Sequence, residues 1–591
     1  MPLLTAALIA APFLFPWSGG PLLNAWQLTA SWACLAALLM VLRRGRARPD
    51  GRVLGWLALV FVSVAGSRGF VVEGWASACT AIAAAAAAAL AGSRLAAERK
   101  YQRAFAWALL AAGLLSAVLG LLQYYGLAEP LAPWTTSPEL GQAFGNLRQR
   151  NQFATLLSMA LVALLWLGAS RIDVEAGTPG TTAGNNPATI AAALLLLIAQ
   201  AASTSRTGLL QLVAIVGVAG FIAWRERRPA GAESTPEHAQ LRLAAASGNT
   251  FRLPSPCLLL ALIPLYFLAS WLLPHLAGGG VEGMAHRLRE GAPPGHSRLV
   301  LWGDVLELIA RHPWVGWGWG ELKFAHYSSA YAGPRFVEIL DNAHNLPLHL
   351  AVELGIPLAL LICAGFGWLV LAARPWRETD PDRLMAWGVL GLIVLHSMLE
   401  YPLWYGPFQL VFGLCLGLLW PAPAPAAAPA ERAIAWPAIA IAAALLAIVA
   451  YAGWDYMRIS QVFLARDERL EAYRDDPWRP AARSWLFEDA VDFARLSLTP
   501  VTQANAAEVH ALAERGLHFS PEPVVIEKLI DSALLLGLDD EAAEQAARFK
   551  AAFPADYSRW AHDEDEPAQH GDPILAPPDP PPPQANRSRG R

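Results

Sequence analysis

Four short segments concentrate side chains able to bind anions or move protons. The first, GNLRQRNQFA at 145–154, carries Asn146, Arg148, Gln149, Arg150 and Asn151. The second, STSRTG at 203–208, sets Arg206 among Ser203, Thr204, Ser205 and Thr207. The third has two parts. GHSRLVLWGDVLELIARHPWVGWGWG at 295–320 holds His296, Arg298 and His312, and DNAHNLPLHLAVELG at 341–355 holds Asn342, His344, Asn345 and Glu353. The fourth, HSMLEYPLWYGPF at 396–408, contributes His396, Glu400, Tyr401 and Tyr405.

Arginines, a histidine and hydroxyls without a DxD-like carboxylate pair suit one chemistry well: displacement of a polyprenyl pyrophosphate. As a sugar leaves such a carrier, negative charge builds on the phosphate oxygens. Preorganised guanidinium groups can neutralise it where a divalent metal otherwise would. Arg206 and Arg298 are the candidates for that task. The acceptor hydroxyl must lose a proton as it attacks the anomeric carbon, and an imidazole is suited to take it. His344 is the candidate general base, with inversion at the anomeric carbon if displacement is direct.

Structural readings stand beside the chemical ones. Arginines at span ends commonly snorkel to headgroups, which would account for Arg150. Arg298 opens an amphipathic stretch, where an exposed helix cation is the plain alternative. His344 lies between two asparagines at the start of an apolar window, an ordinary place for a capping residue. Glu353 and Glu400 read as packing or hydrogen-bond partners inside the bundle. The glycine-tryptophan run at 315–320 reads as a turn at the membrane interface. Arg206 is harder to explain structurally, because its turn lies on the side of the membrane that otherwise avoids cations.

These segments must be positioned by membrane helices. The chain of 591 residues is 55% hydrophobic and 16% charged, with mean hydropathy +0.35, well below the roughly 25% charge of soluble domains. A formal charge of -4 excludes a globally basic nucleic-acid binder. All five cysteines fall in apolar stretches without CxxC spacing, so neither a disulfide nor a zinc site is expected. The amino terminus lacks a basic n-region, so its first apolar stretch reads as a retained span.

Windows of bilayer length lie near 3–17, 22–42, 53–68, 72–92, 104–124, 151–170, 188–202, 208–224, 255–275, 345–372, 385–400, 405–420 and 433–453, about thirteen spans. Arg43, Arg44, Arg46, Arg48, Arg52, Arg94, Arg99, Lys100, Arg103, Arg225, Arg227, Arg228, Arg374, Arg377 and Arg383 then share one side, the cytoplasmic one. The four segments converge on the opposite face.

The expected architecture is all-α: a polytopic helical bundle at 1–453 with an outer loop at 276–344, then a soluble helical domain at 454–560 resembling tetratricopeptide repeats. An acidic, proline-rich tail at 561–591 is too poor in apolar residues to pack.

The chain resembles the bacterial O-antigen ligase and protein O-oligosaccharyltransferase (pilin glycosylation ligase) superfamily. The likeness rests on the SR of 205–206, on SRLVLWGDVLELIARHPWVGWGWGELKF, on DNAHNLPLHLAVELGIP and on HSMLEYPLWY. It implies a multi-pass inner-membrane transferase whose active site and carboxyl-terminal domain are periplasmic. It further implies a glycan donor on undecaprenyl pyrophosphate, no cofactor, no metal, and an acceptor that is a pilin-like protein or lipid A core. The family's essential histidine corresponds to His344 and its phosphate-binding arginines to Arg206 and Arg298. Gln149, Arg150, Asn151 and Tyr405 correspond to supporting positions of the protein-glycosylating branch. A ligase or polymerase acting on lipopolysaccharide is the alternative. A transporter fits less well, because its polar groups would lie at mid-membrane with access from both sides.

Overall fold

The computed structural model describes residues 1–22, 24–169, 186–227, 253–278, 281, 283–291, 295–422 and 436–563. Among these every regular element is helical, and the only β contacts are two isolated bridges.

All thirteen apolar windows contain helix. They are α1 (Pro2–Ala10), α2 (Ala25–Val41), α3 (Gly51–Gly66), α4 (Val72–Ala96), α5 (Arg99–Tyr124), α6 (Arg150–Gly168), α7 (Pro187–Ala202), α8 (Arg206–Arg227) and α9 (Pro256–Leu276). After two loop helices, α10 (Met284–Glu290) and α11 (Arg298–Arg311), come α12 (Leu322–Ser328), α13 (Leu346–Leu354), α14 (Ile356–Ala373), α15 (Pro381–Ser397), α16 (Gly406–Leu419) and α17 (Trp436–Ser460). Seven of them, α4, α5, α6, α8, α9, α14 and α17, are long and apolar enough to cross a membrane. The chain is therefore a multi-pass membrane protein. Arg228 and the end of the sixth window lie outside the described residues.

Their ends are written in the sequence as polar caps. Asp50, Gln149, Asn186, Ser255, Ser297, Asn345 and Asp380 each accept a hydrogen bond from the first turn of the helix that follows. Tight packing is carried by small residues. The alanine-rich α4 lies against α16 so closely that a Cβ on Gly92 would strike the Leu414 backbone, and one on Gly417 the Ala89 carbonyl. Without a hydrophobic force between helices in lipid, such backbone approach is what dispersion requires.

One expectation needs correction. The window 345–372 is not a single helix: it breaks at Gly355, whose φ of 84° and ψ of 159° suit glycine almost alone. The break is set by the glycine-tryptophan turn. Ile356 N–H donates to Pro313 O (2.8 Å), Trp317 N–H to Val352 O (2.9 Å) and Gly318 N–H to Glu353 O (3.0 Å). Helix α13 thus belongs with the loop, and the apolar span begins at Ile356.

Beyond α17 the chain forms α18 (Trp478–Ala481), α19 (Glu488–Leu498), α20 (Ala506–Phe519), α21 (Pro523–Leu535), α22 (Asp539–Ala552) and α23 (Pro554–Asp563). The last helix runs three residues past the expected boundary at 560, and 564–591 lie outside the described residues. Buried Val509, Ile526, Leu529 and Phe549 make a separate core with Tyr327 of α12. The unit is pinned to the loop: Lys323 Nζ donates to Phe519 O (3.1 Å), Tyr327 Oη to Gln545 Oε1 (3.0 Å), and His518 Nδ1 lies 2.5 Å from Glu321 Oε2.

Candidate active site

Helix α6 starts where Gln149 Oε1 accepts the Gln152 N–H at 2.7 Å. That cap fixes Asn151 in the first turn of α6, where its amide serves two elements. Nδ2 donates to Glu400 Oε1 (3.0 Å), and Oδ1 accepts from Ser205 Oγ (2.6 Å). Ser205 Oγ also accepts the Gly208 N–H at 3.0 Å, so the turn that presents Arg206 is held to the start of α6.

Glu400 is the hub. Its carboxylate sits in the turn after α15, 5% exposed. Besides Asn151 it receives Arg298 Nη2 on Oε1, while His344 Nδ1 lies 3.2 Å from Oε2. Burial pushes this carboxyl up, but the hydrogen bond from His344 and the charges of His344 and Arg298 together hold it below the usual carboxylate range. The sequence reading of Glu400 as a hydrogen-bond partner holds, but its partners are the candidate catalytic residues themselves.

His344 has φ of 49°, a left-handed conformation that costs a non-glycine residue on the order of 1 kcal/mol. Asn342 stabilises it by accepting the His344 N–H on Oδ1 at 2.9 Å. The cap of α13 is Asn345, not His344: Asn345 Oδ1 accepts from Leu348 N–H (3.1 Å) and Nδ2 donates to Met398 O (3.0 Å). Through that last bond the loop carrying His344 is tied to the turn carrying Glu400. Tyr401 meets the His344 ring edge-on at 5.0 Å, and Tyr405 stands behind it at 6.3 Å. Tyr405 is buried and packs against Tyr401.

Arg206 is exposed, and its hydrogen bonds run to the outer loop rather than to Glu400. Its Nη2 donates to the carbonyls of Arg287 and of Gly291 (3.0 Å) in and after α10. Arg287 returns the contact, donating to Thr204 O (3.2 Å) and Oγ1 (3.1 Å). Thr204, like His344, has a left-handed φ, of 48°. Thus Arg298, His344 and Asn151 converge on one carboxylate, and Arg206 joins them through Ser205. Gln149 acts as a cap, and Arg150 is half-buried beside it. Sequence reasoning missed Arg287, whose loop carries no distinguishing motif.

The loop's rigidity has its own network. Asp304 Oδ2 accepts the Phe336 N–H at 2.8 Å, and His326 bridges Tyr331 Oη (2.7 Å) and Phe336 O (3.1 Å). Burial, aided by the Arg335 charge, lowers His326 to about 3, so it is a neutral brace.

A cavity of about 950 Å³ adjoins this cluster, reaching Asn342 and Tyr401 at one point and the carboxyl-terminal unit at Phe493 and His518 at another.

Comparison with known proteins agrees with this layout. A protein glycosylation ligase model matches residues 143–167, an O-antigen ligase model 191–363, and the C-terminal model of virulence factor membrane-bound polymerases 384–566. A general O-oligosaccharyltransferase of Acinetobacter baylyi is 25% identical over 279 residues, 46% of each chain. A ComP-specific O-oligosaccharyltransferase of the same organism is 26% identical over 125 residues, 21% of this chain and 23% of that one. The matched stretches span less than half the length of these relatives. These matches support placing the chain in the superfamily of O-antigen ligases and protein O-oligosaccharyltransferases. The matched segments hold every candidate residue but Glu400 and Tyr405 within the first two models, and those two within the third.

Proposed function

We propose that this protein transfers an oligosaccharide en bloc from undecaprenyl pyrophosphate to serine or threonine of a pilin-like periplasmic protein. The observation that carries the reading is the single Glu400 carboxylate shared by His344 and Arg298. Glu400 holds the imidazole by Nδ1, leaving Nε2 to take the acceptor's proton as its oxygen bonds the anomeric carbon. The bond from that carbon to the diphosphate oxygen breaks with its electron pair on the leaving group. Arg298 and Arg206 stabilise the departing charge, with Arg287 beside them, so that no metal is required. Attack from the side opposite the leaving group inverts the anomeric centre.

In this reading the thirteen helical windows are spans of an inner-membrane unit covering 1–453. Its amino terminus is cytoplasmic, and the site and the loop 276–344 are periplasmic. The helices of 454–560 form a periplasmic hairpin platform, resembling tetratricopeptide repeats, at the acceptor side. A second reading, transfer to lipid A core or polymerisation of glycan repeats, is favoured by the O-antigen ligase match, which covers Arg206, Arg298 and His344 together.

The two separate in cells. A deletion strain complemented with wild type or with His344→Ala is analysed for glycan mass on periplasmic proteins and for lipopolysaccharide ladders. Loss of protein glycan with intact ladders supports the first reading. Lost ladders with unchanged protein glycan overturn it in favour of the second.

A further inference from the structure

The cavity beside His344 has two unlike surfaces. Much of its wall is apolar, with Trp56, Ile82, Phe366 and Phe412. The stretch formed by Asn342, His349 and Glu353 is polar, and these three side chains are only 3%, 2% and 1% exposed. Asn342 Nδ2 and His349 Nδ1 nevertheless lack a hydrogen-bond partner, and Glu353 Oε2, which accepts no hydrogen bond, faces His349 Nε2 at 3.4 Å. Buried polar atoms are almost always paired, and an unmade bond is expensive. Beside them the indoles of Trp319 and Trp404 lie parallel, 9° apart in plane and 6.3 Å between centroids. His349 meets both rings edge-on, at 5.7 and 4.9 Å.

This wall discriminates among ligands. A hydrocarbon chain would leave Asn342 Nδ2 and His349 Nδ1 unsatisfied. A phosphate would meet Glu73, Asp341, Glu353 and Glu522, with Lys323 as the one lysine or arginine among the described residues that line the cavity. A sugar ring matches: its C–H face packs on indole, and each hydroxyl both donates and accepts. Asn342 also holds the backbone of His344, so a ring bound here lies next to the imidazole.

We propose that Asn342, His349, Glu353, Trp319 and Trp404 form a sugar subsite for the first ring of the transferred glycan. The assignment rests on the glycosyl-transfer reading above. Helix α13 builds it by placing His349 and Glu353 four residues apart on one face, 3.4 Å between Nε2 and Oε2. The glycine-tryptophan turn delivers Trp319.

Calorimetric titration of the full-length protein in detergent tests it with two probes: glycan-bearing undecaprenyl pyrophosphate and the same lipid without sugar. Glu353→Leu and Trp404→Ala should each weaken the glycan-bearing probe about ten-fold, the worth of one lost buried polar or stacking contact. The sugar-free probe should bind unchanged. Glu353→Gln and Trp404→Phe should recover most of the loss, and unaltered melting temperatures exclude misfolding. Equal weakening of both probes makes the cavity a lipid site and overturns the proposal. So does unchanged binding of both, or weakening confined to an acceptor polypeptide. Because binding needs no turnover, a wild type that distinguishes the probes but transfers nothing keeps the subsite and refutes the transfer reading alone.

Discussion

The Glu400 carboxylate accepts the Asn151 amide at 3.0 Å across 249 residues of sequence, and the same carboxylate faces His344. One acidic side chain therefore registers the start of α6, the loop histidine and Arg298 against one another. In the proposed mechanism Glu400 is a positioning residue whose loss disorders three others at once.

Removing the imidazole is the sharpest single change. His344→Ala should reduce transfer at least about 100-fold, the usual worth of a positioned general base, while purified protein elutes and melts as wild type. A turnover number within two-fold of wild type contradicts the role.

Glu400→Gln should lower turnover more than it raises the apparent KM for the donor, because it releases the imidazole rather than a substrate contact. It also tests electrostatics. The folded Glu400 carboxyl lies below its unfolded value, so its contribution to stability is present above the ordinary carboxylate range and is lost as pH falls through the depressed folded value. Melting curves of wild type and variant should differ at neutral pH and converge in acid; a constant difference would show that the charge is not responsible.

Asn151 and Gln149 should separate although they are two residues apart. Asn151→Ala breaks the links to both Glu400 and Ser205 and should cost more than ten-fold in turnover, since a buried charge loses a partner worth about 1.5–3 kcal/mol. Gln149→Ala removes a helix cap and should cost about 1 kcal/mol of stability with little change in rate. Equal kinetic effects would mean that the cap, not the hub, is what the site needs.

Much of this arrangement was legible beforehand, for physical reasons that can be named. Arg206 stands out because the expected topology puts few other cations on its face, and His344 because an imidazole suits proton transfer, although its place between two asparagines reads as an ordinary cap. All thirteen helical regions follow from apolar length. Glu400 was harder, since a lone carboxylate after an apolar run looks like a packing partner until a distant chain segment is brought to it. The break at Gly355 was hidden because ELGIP continues an apolar pattern, and the cause lies in contacts of Ile356 and Val352–Glu353 with Pro313, Trp317 and Gly318 of the turn rather than in local propensity. The cross-brace of Arg206 with Arg287 depends on a loop whose path the local sequence does not specify.

That break supplies another prediction. Gly355→Ala forces a Cβ into the Trp314 carbonyl at a φ and ψ costing about 1–3 kcal/mol. It should lower the melting temperature and activity together. Gly367→Ala, with open space around its Cβ, should leave both unchanged. Tolerance of the first substitution would contradict the rigid docking of the turn on α13.

Acid sensitivity of the loop should trace to His326. Its folded value near 3 lies below the ordinary 6.5 because burial disfavours the imidazolium, so protonation of the unfolded chain withdraws stability as pH falls from 6.5 towards 3. His326→Gln should flatten that part of the melting-temperature profile, and an unchanged slope would assign it elsewhere.

The central claim is direct glycan transfer by His344 with arginines in place of a metal. The most direct measurement incubates the purified protein with undecaprenyl-pyrophosphate-linked glycan and a pilin in the presence of EDTA, and follows pilin mass. A glycan-sized gain that survives EDTA and vanishes in His344→Ala is the predicted result; no gain on pilin, or a gain that EDTA abolishes, contradicts it.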